Sequence, residues 1–379
     1  MQYIQPFQQA FHDFLDGNPF HKEPENLYVP ADYIMGLGGK RLRPVLLLLG
    51  HYLFDDRFHD SLPAAMAVEV FHNFTLVHDD IMDAAPLRRG NPTVHQRFGL
   101  NAGILAGDVM LIRAYQYLLE LDRPHLLPRI LDVFNRLAIE VCEGQQMDMD
   151  FEQAEEVRIE DYLKMIELKT SVLIAGALKM GALLGGGSEE NAGLLYEFGR
   201  NVGIAFQLQD DILDAFGAPE KVGKKPGGDI AQNKKTFLFL KALELGNPEE
   251  KAHLKAWFSS SDSPEKIEKV LGLWEKLGIR RYAEEAKNRF QDQAFLALEQ
   301  VGAEETKRDC CASLRENCCC GRLKKGRSNR RSGYPSHYET LFSLGYKVKT
   351  KLATNLRKWA VRCKIFCVFG EFIVVKMAR

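Results

Sequence analysis

The sequence predicts an all-α protein, built as one large antiparallel helical bundle. Apolar residues recur at three- and four-residue steps through the first 300 residues or so, as in amphipathic helices. Glycine and proline clusters punctuate these stretches. No alternating β-branched run bounded by hairpin turn residues interrupts them.

The elements follow in order. Ile4, Phe7, Phe11 and Phe14 form the first stripe. Further periodic stretches start at Pro44 and run from Pro63 to Asp83, Gly103 to Leu121, Leu127 to Met147, Ile159 to Leu184, Asn191 to Phe216 and Thr236 to Leu245. Between them stand Gly36-Leu37-Gly38-Gly39, Pro86, Gly90-Asn91-Pro92, Gly185-Gly186-Gly187-Ser188 and Pro226-Gly227-Gly228. Connections this short favour antiparallel neighbours.

A chain of 379 residues with a net charge of −1 and 46% hydrophobic residues reads as an ordinary globular protein, with no nucleic-acid partner expected. That average hides an asymmetry. Residues 303–379 carry 18 Lys+Arg and 6 Asp+Glu, leaving 32 and 45 of the chain's 50 and 51 for the rest. The swing marks a boundary near residue 303. Cysteine changes there too: Cys142 stands alone before it, and the other seven of eight lie between Cys310 and Cys367. A lone cysteine in the main body fits a reducing cytoplasm. The start, MQYIQPFQQAF, lacks the basic flank and apolar core of a signal peptide, and no apolar run is long enough to span a bilayer. A soluble, cytoplasmic protein is expected.

Two acidic clusters carry the chemistry. Asp79-Asp80-Ile81-Met82-Asp83 and Asp210-Asp211-Ile212-Leu213-Asp214 each close an apolar helical stretch. Within each, the first and last aspartates are four apart and share a helix face, with the middle one beside them. Three like charges on one turn repel unless a hard cation sits among them. Mg²⁺ takes oxygen ligands, keeps waters, and is held by a few carboxylates together with substrate phosphates. Two facing clusters would hold Mg²⁺ around a diphosphate and stabilise a departing oxygen. One such cluster is most often surface charge; two, both embedded in apolar sequence, point to a site.

Cations stand where a diphosphate needs them. Gly38-Gly39-Lys40-Arg41-Leu42-Arg43-Pro44 sets glycines before a helix whose first turn is expected to carry three cations, against the helix dipole. That conflict suggests an anionic ligand. Arg88-Arg89-Gly90 follows the first cluster, and Arg forks fix phosphate oxygens bidentately. Lys169-Thr170 lies mid-helix, and Lys224 and Lys234 follow the second cluster.

Taken together, LVHDDIMDAAPLRRGNPTVH, GIAFQLQDDILD and GLGGKRLRP resemble, in order and spacing, the motifs of the trans-isoprenyl diphosphate synthases, or polyprenyl synthetases. The resemblance is to short-chain members and covers about Met1 to Arg308. It implies the isoprenoid synthase type of bundle, with a central active-site cavity, and a homodimer. It also implies that Asp79, Asp80, Asp83, Asp210, Asp211 and Asp214 bind Mg²⁺ with the allylic diphosphate. Gly39, Lys40, Arg43 and His72 would bind isopentenyl diphosphate. Arg88 would contact the allylic diphosphate and Arg89 the isopentenyl one. Lys169, Thr170, Gln207, Lys224 and Lys234 would also hold the allylic diphosphate. The implied reaction ionises dimethylallyl, geranyl or farnesyl diphosphate, condenses the cation with isopentenyl diphosphate and eliminates a proton. The absence of a nucleophile–base pair then needs no explanation.

Product length should depend on what lies below the first cluster. Thr75 is four residues before Asp79, Phe74 five and Phe71 eight, spaced about 1.5 Å apart along the axis. Phe at the fifth position resembles synthases that stop at geranylgeranyl diphosphate; farnesyl diphosphate is the alternative.

After Lys307 no helical stripe is expected for some thirty residues. Residues 309–379 read as a basic, Cys-rich extension, non-native or disordered, arising from a reading-frame shift or an appended segment. A chain ending near Arg308 is expected to keep activity. Cys310, Cys311, Cys318, Cys319 and Cys320 do not have zinc-ligand spacing. A membrane-surface tail around Lys347, Lys349, Lys351, Arg357 and Lys358 is the other reading. Two rivals stand against the synthase itself. A class I terpene cyclase would carry a different second metal motif, and a non-catalytic partner subunit would have lost acidic residues.

Overall fold

The computed structural model describes residues 4–217 and 227–312. Lys224 and the tail from residue 313 onward, with its cysteine and lysine clusters, lie outside the described residues.

Sixteen α-helices are described. The first half of the chain holds α1 (Gln5–Asp16), α2 (Glu25–Gly36), α3 (Leu42–Tyr52), α4 (Leu62–Met82), α5 (Val94–Phe98), α6 (Leu100–Leu119), α7 (Leu127–Gln153) and α8 (Ile159–Ile166). After a π turn at Glu167–Ser171 come α9 (Val172–Leu184), α10 (Glu189–Phe216), α11 (Gly228–Ala231), α12 (Phe237–Leu245), α13 (Pro248–Phe258), α14 (Pro264–Lys276), α15 (Ile279–Glu299) and α16 (Glu305–Ala312). The β-structure described is a two-residue antiparallel pair, β1 (Leu87–Arg88) with β2 (Asn91–Pro92). Among the described residues no helix is long and apolar enough to cross a membrane.

Local chemistry sets the ends. Ser188 and Ser263 cap α10 and α14 by accepting the Asn191 and Lys266 amides at 3.2 Å, and Asn247 with Glu250 forms a capping box on α13; each cap satisfies amides with no intrahelical partner. Lys235 Nζ closes the far end of α7, donating to the Phe151 and Ala154 carbonyls at 2.7 and 2.6 Å.

Two apolar cores organise the bundle. The first gathers α1–α4, α6, α7, α9, the first half of α10 and the end of α15; the second gathers α8, the end of α10, α11–α14 and the start of α15. In the first, α3 and α9 touch backbone to backbone. A Cβ on Gly181 would collide with the Leu47 carbonyl, so only glycine permits this approach.

Three local expectations change. Helix α3 begins at Leu42, not among the three cations. Lys40 precedes it, Arg41 caps it in the left-handed conformation at φ 47°, and only Arg43 lies in its first turn. This relieves most of the conflict with the helix dipole. The single stretch expected from Ile159 to Leu184 is interrupted by the π turn. Finally, α16 continues four residues past Arg308, and Cys310 and Cys311 are buried against the first core. Lys307 anchors it through Asp56 at 2.6 Å and lies 4.7 Å from the Tyr52 ring centroid.

Candidate active site

Helix α4 delivers the first cluster. Asp79 and Asp80 lie in its last turn and Asp83 caps it. Asp80 is buried and held bidentately by Arg88, Nε and Nη2 each donating at 2.7 Å, a strong charge-assisted geometry. Asp79 differs: burial chiefly pushes its carboxyl up to about 6, against the pull of Lys169. Asp83 is exposed.

Helix α10 delivers the second cluster. Asp211 is buried, accepting from the Tyr162 hydroxyl at 2.5 Å and from the Gln207 amide at 3.3 Å. Burial still pushes it up to about 7 and drives the Tyr162 phenol well above its ordinary value. Asp214 accepts the Asp229 backbone amide at 2.9 Å. Asp210 keeps an open face, yet loss of hydration beside the protein raises it to about 6, with Lys40 opposing. Asp80 in the first cluster, and Asp211 and Asp214 in the second, are therefore committed to structural partners, while Asp79, Asp83 and Asp210 stay open.

The glycine-rich loop joins the two. Gly38 and Gly39 take φ of 77° and 135°, conformations open to glycine. Arg89 donates to the Gly38 carbonyl, tying the loop to the hairpin after the first cluster. Lys40 reaches the other way, 5.9 Å from the Phe206 ring centroid, one helical turn before Asp210. Arg43 Nη1 lies 3.1 Å from His72 Nε2. Burial and then Arg43 push the imidazole well below its ordinary value, so a neutral His72 accepts from the guanidinium. Burial also lowers Arg43 and Arg89. Clustered cations short of counter-charge are the electrostatic complement of a polyanion.

The π turn carries Lys169 and Thr170. Lys169 donates to Asp148 of α7 at 2.5 Å. A Cβ on Gly144 would collide with the Lys169 amide, so α7 lies directly against the turn. π turns inside helices recur at functional sites. Lys234 is exposed, with its amide bonded to the Asp229 carbonyl at 2.9 Å.

Below Asp79 sits an aromatic stack. Phe71 is buried, its ring 5.6 Å from Phe74 and 5.3 Å from Phe134 of α7; Phe74 lies 4.9 Å from His78. Thr75 donates to the His72 carbonyl at 2.8 Å.

Four participants were not expected from the sequence, Glu69, Asp148, Tyr162 and Asp229, and Arg41, expected among the cations that meet an anionic ligand, is turned inward instead. Arg41 and Glu69 form a buried ion pair, with Arg41 also donating to the Met35 carbonyl. Asn73 completes it, donating to Glu69 Oε1 at 3.0 Å. A lone acid inside the apolar run Met66-Ala67-Val68-Glu69-Val70 was the available signal, because buried carboxylates require partners.

The donors suit a hard cation, being carboxylate oxygens throughout. Among the described residues no three His, Cys, Asp or Glu side chains already converge as a metal cage.

Residues 24–274 match the family model described as polyprenyl synthetase. The chain belongs to the polyprenyl synthetase family. It is an isoprenyl diphosphate synthase with the all-α isoprenoid synthase fold. It is 46% identical over 224 residues to a geranylgeranyl diphosphate synthase of Methanosarcina mazei, covering 59% of this chain and 69% of that one. A solved geranylgeranyl pyrophosphate synthase matches with a TM-score of 0.80 and 42% identity, over 84% of this chain and 98% of that chain. Another, from Corynebacterium glutamicum, was solved with isoprenyl diphosphate and magnesium; it matches at 0.74 and 27% identity, over 85% of this chain and 99% of that one.

Proposed function

We propose that this synthase joins an allylic diphosphate to isopentenyl diphosphate and releases geranylgeranyl diphosphate, using magnesium. The observation that carries the reading is the pairing of two aspartate clusters, each with a committed and an available carboxylate, across a loop rich in cations. Asp79, Asp83 and Asp210 would hold the metal, which supplies positive charge for the departing diphosphate.

The chain's own groups do the rest. Arg88, fixed by Asp80, presents its remaining N–H to the allylic diphosphate, and Lys169 and Thr170 reach it from the π turn. Gln207, Lys224 and Lys234 complete that set. Lys40, Arg43, His72 and Arg89 bind the isopentenyl diphosphate, with Gly39 giving its backbone close access. Neutral His72 orients the Arg43 fork. Apolar side chains of α4, α7 and α9 keep water from the cation. Diphosphate released in the same site is the base for the final proton.

The twenty-carbon product rests on Phe74, backed by Phe71 and Phe134, and on the similarity to geranylgeranyl diphosphate synthases. We further infer a homodimer acting in the cytoplasm. Leu100, Ile104, Leu105, Ile112 and Leu119 of α6 and Ile139 of α7 are exposed, an apolar band that supports self-association.

The test incubates the purified protein with magnesium, isopentenyl diphosphate and dimethylallyl, geranyl or farnesyl diphosphate in turn, and separates the dephosphorylated products. A twenty-carbon alcohol is expected. A fifteen-carbon end point would raise the floor above Phe74. No consumption of isopentenyl diphosphate by folded protein would overturn the enzyme and favour the partner-subunit reading.

A further inference from the structure

Gln145 has a buried side chain that none of the roles above uses. It is 7% exposed, and neither Oε1 nor Nε2 has a partner among the described residues. A primary amide can make four hydrogen bonds. Burying one with none is costly, of order 1–3 kcal/mol per group. Such groups persist in folded proteins where a ligand or a function uses them.

Its place in the fold says which. Phe134, Val141, Gln145 and Asp148 follow one another at spacings of seven, four and three along α7, and so share one narrow face. The two ends of that stripe are fixed by contacts. Phe134 packs its ring on Phe71 of α4, in the aromatic stack under Asp79. Asp148 accepts from Lys169, the lysine of the π turn. Gln145 lies between them, about 4.5 Å below Asp148 along the axis and about 16 Å above Phe134. Its neighbour Gly144 touches the Lys169 backbone, which fixes the height of this amide against the turn. It stands one helical turn beneath the level of the diphosphate groups, where the first carbons of an allylic chain would lie.

We propose that Gln145 is a further catalytic residue: its amide oxygen faces the allylic carbon that becomes positive as the diphosphate leaves. The inference rests on the reaction proposed above and adds no step to it. The carbon–oxygen bond breaks with both electrons going to the diphosphate. The double bond of isopentenyl diphosphate then supplies the pair for the new carbon–carbon bond, and the proton lost goes to the diphosphate. The amide oxygen places fixed negative partial charge beside the carbon through the first of these events. A dipole already held in a dry site needs no reorganisation when the charge develops. The unpaired amide in the free protein is the cost of that preorganisation.

The experiment compares wild type, Gln145→Met and Gln145→Glu in the full chain with magnesium. Methionine matches the length and flexibility of glutamine without the amide. Glutamate retains an oxygen at the same place. Three quantities are read: melting temperature without ligand, the Kd for farnesyl thiolodiphosphate (a substrate analogue that resists ionisation), and kcat with farnesyl and isopentenyl diphosphates. The expected result is a Gln145→Met enzyme that melts at or above wild type, binds the analogue within about threefold, and loses about a hundredfold in kcat, the loss typical for one preorganised group. Gln145→Glu should recover most of that loss. A Gln145→Met enzyme with wild-type kcat would overturn the proposal. So would one whose kcat falls only together with its melting temperature or analogue binding, or which fails to fold, because the amide would then be structural. Wild-type protein that consumes no isopentenyl diphosphate would instead remove the reaction on which the inference rests.

Discussion

Replacing Glu69 by alanine tests how the isopentenyl diphosphate loop is held. The Arg41 and Glu69 side chains are 2% and 3% exposed, so the variant leaves a guanidinium in the core with the Met35 carbonyl as its remaining acceptor. Breaking one side of a buried pair costs about 3–5 kcal/mol. Unfolding entropy of about 2.1 cal/mol/K per residue over roughly 300 residues comes to ~0.6 kcal/mol/K. The melting temperature should therefore fall by about 5–8 °C. The functional effect should be selective. Arg41 closes the turn that carries Gly38, Gly39 and Lys40 and starts the helix bearing Arg43. A loss of about 1.4 kcal/mol in their alignment raises the KM for isopentenyl diphosphate tenfold, while the KM for farnesyl diphosphate, held elsewhere, changes little. The double variant Arg41→Met with Glu69→Met separates the two effects. Replacing a whole buried pair with apolar residues is often neutral or stabilising, so melting should return while the raised KM remains. Thermal denaturation and initial rates with one substrate saturating measure both. A Glu69→Ala protein melting within about 1 °C of wild type, or one whose allylic KM rises instead, would refute the argument.

Other outcomes follow from the same structure. Phe74→Ala should shift the product beyond twenty carbons by chromatography, whereas Phe71→Ala, at the buried centre of the stack, should cost about 3–5 kcal/mol of stability. Asp79, Asp210 and Asp211 have carboxyls raised above their ordinary value of 3.8. Their contribution to folding is full below that value and is lost as pH rises through 6 to 7. In calorimetry, metal-free protein should melt lower at pH 8 than at pH 5, and magnesium with inorganic diphosphate should restore much of the difference; a metal-free protein that melts higher at pH 8 contradicts this. A chain ending at Ala312 should match the full chain in activity and melting, and one ending at Arg308, which removes the buried Cys310 and Cys311, should melt several degrees lower.

The helices were legible because each long apolar face repeats over several turns, as Phe7 and Phe11 do. The aspartates and their trailing arginines were legible because the chemistry repeats within a few residues of chain. Pairings were not. Asp211 and Tyr162 are 49 residues apart, and nothing local distinguishes that aspartate from Asp210, which is left open. Lys169 and Asp148 meet only because Gly144 lets α7 approach the turn. The cations before Pro44 drew notice as a helix start at odds with its dipole. The fold resolves this by leaving Lys40 outside α3 and turning Arg41 inward to Glu69, a partner 28 residues away.

The π turn at Glu167–Ser171 also acts as a phase shifter. A π turn holds one residue more than an α turn of the same rise, and one residue is about 100° of rotation. Upstream, Tyr162 and Met165 face the second core; downstream, Val172 and Leu173 face the first. The extra residue lets one continuous helical segment serve both without unwinding. Deleting a single residue there would leave composition and helix propensity almost unchanged. It would nevertheless force a choice: either the second core loses its register, or Lys169 swings away from Asp148 and the site. This short stretch should therefore tolerate exchange of side chains far better than any change in length.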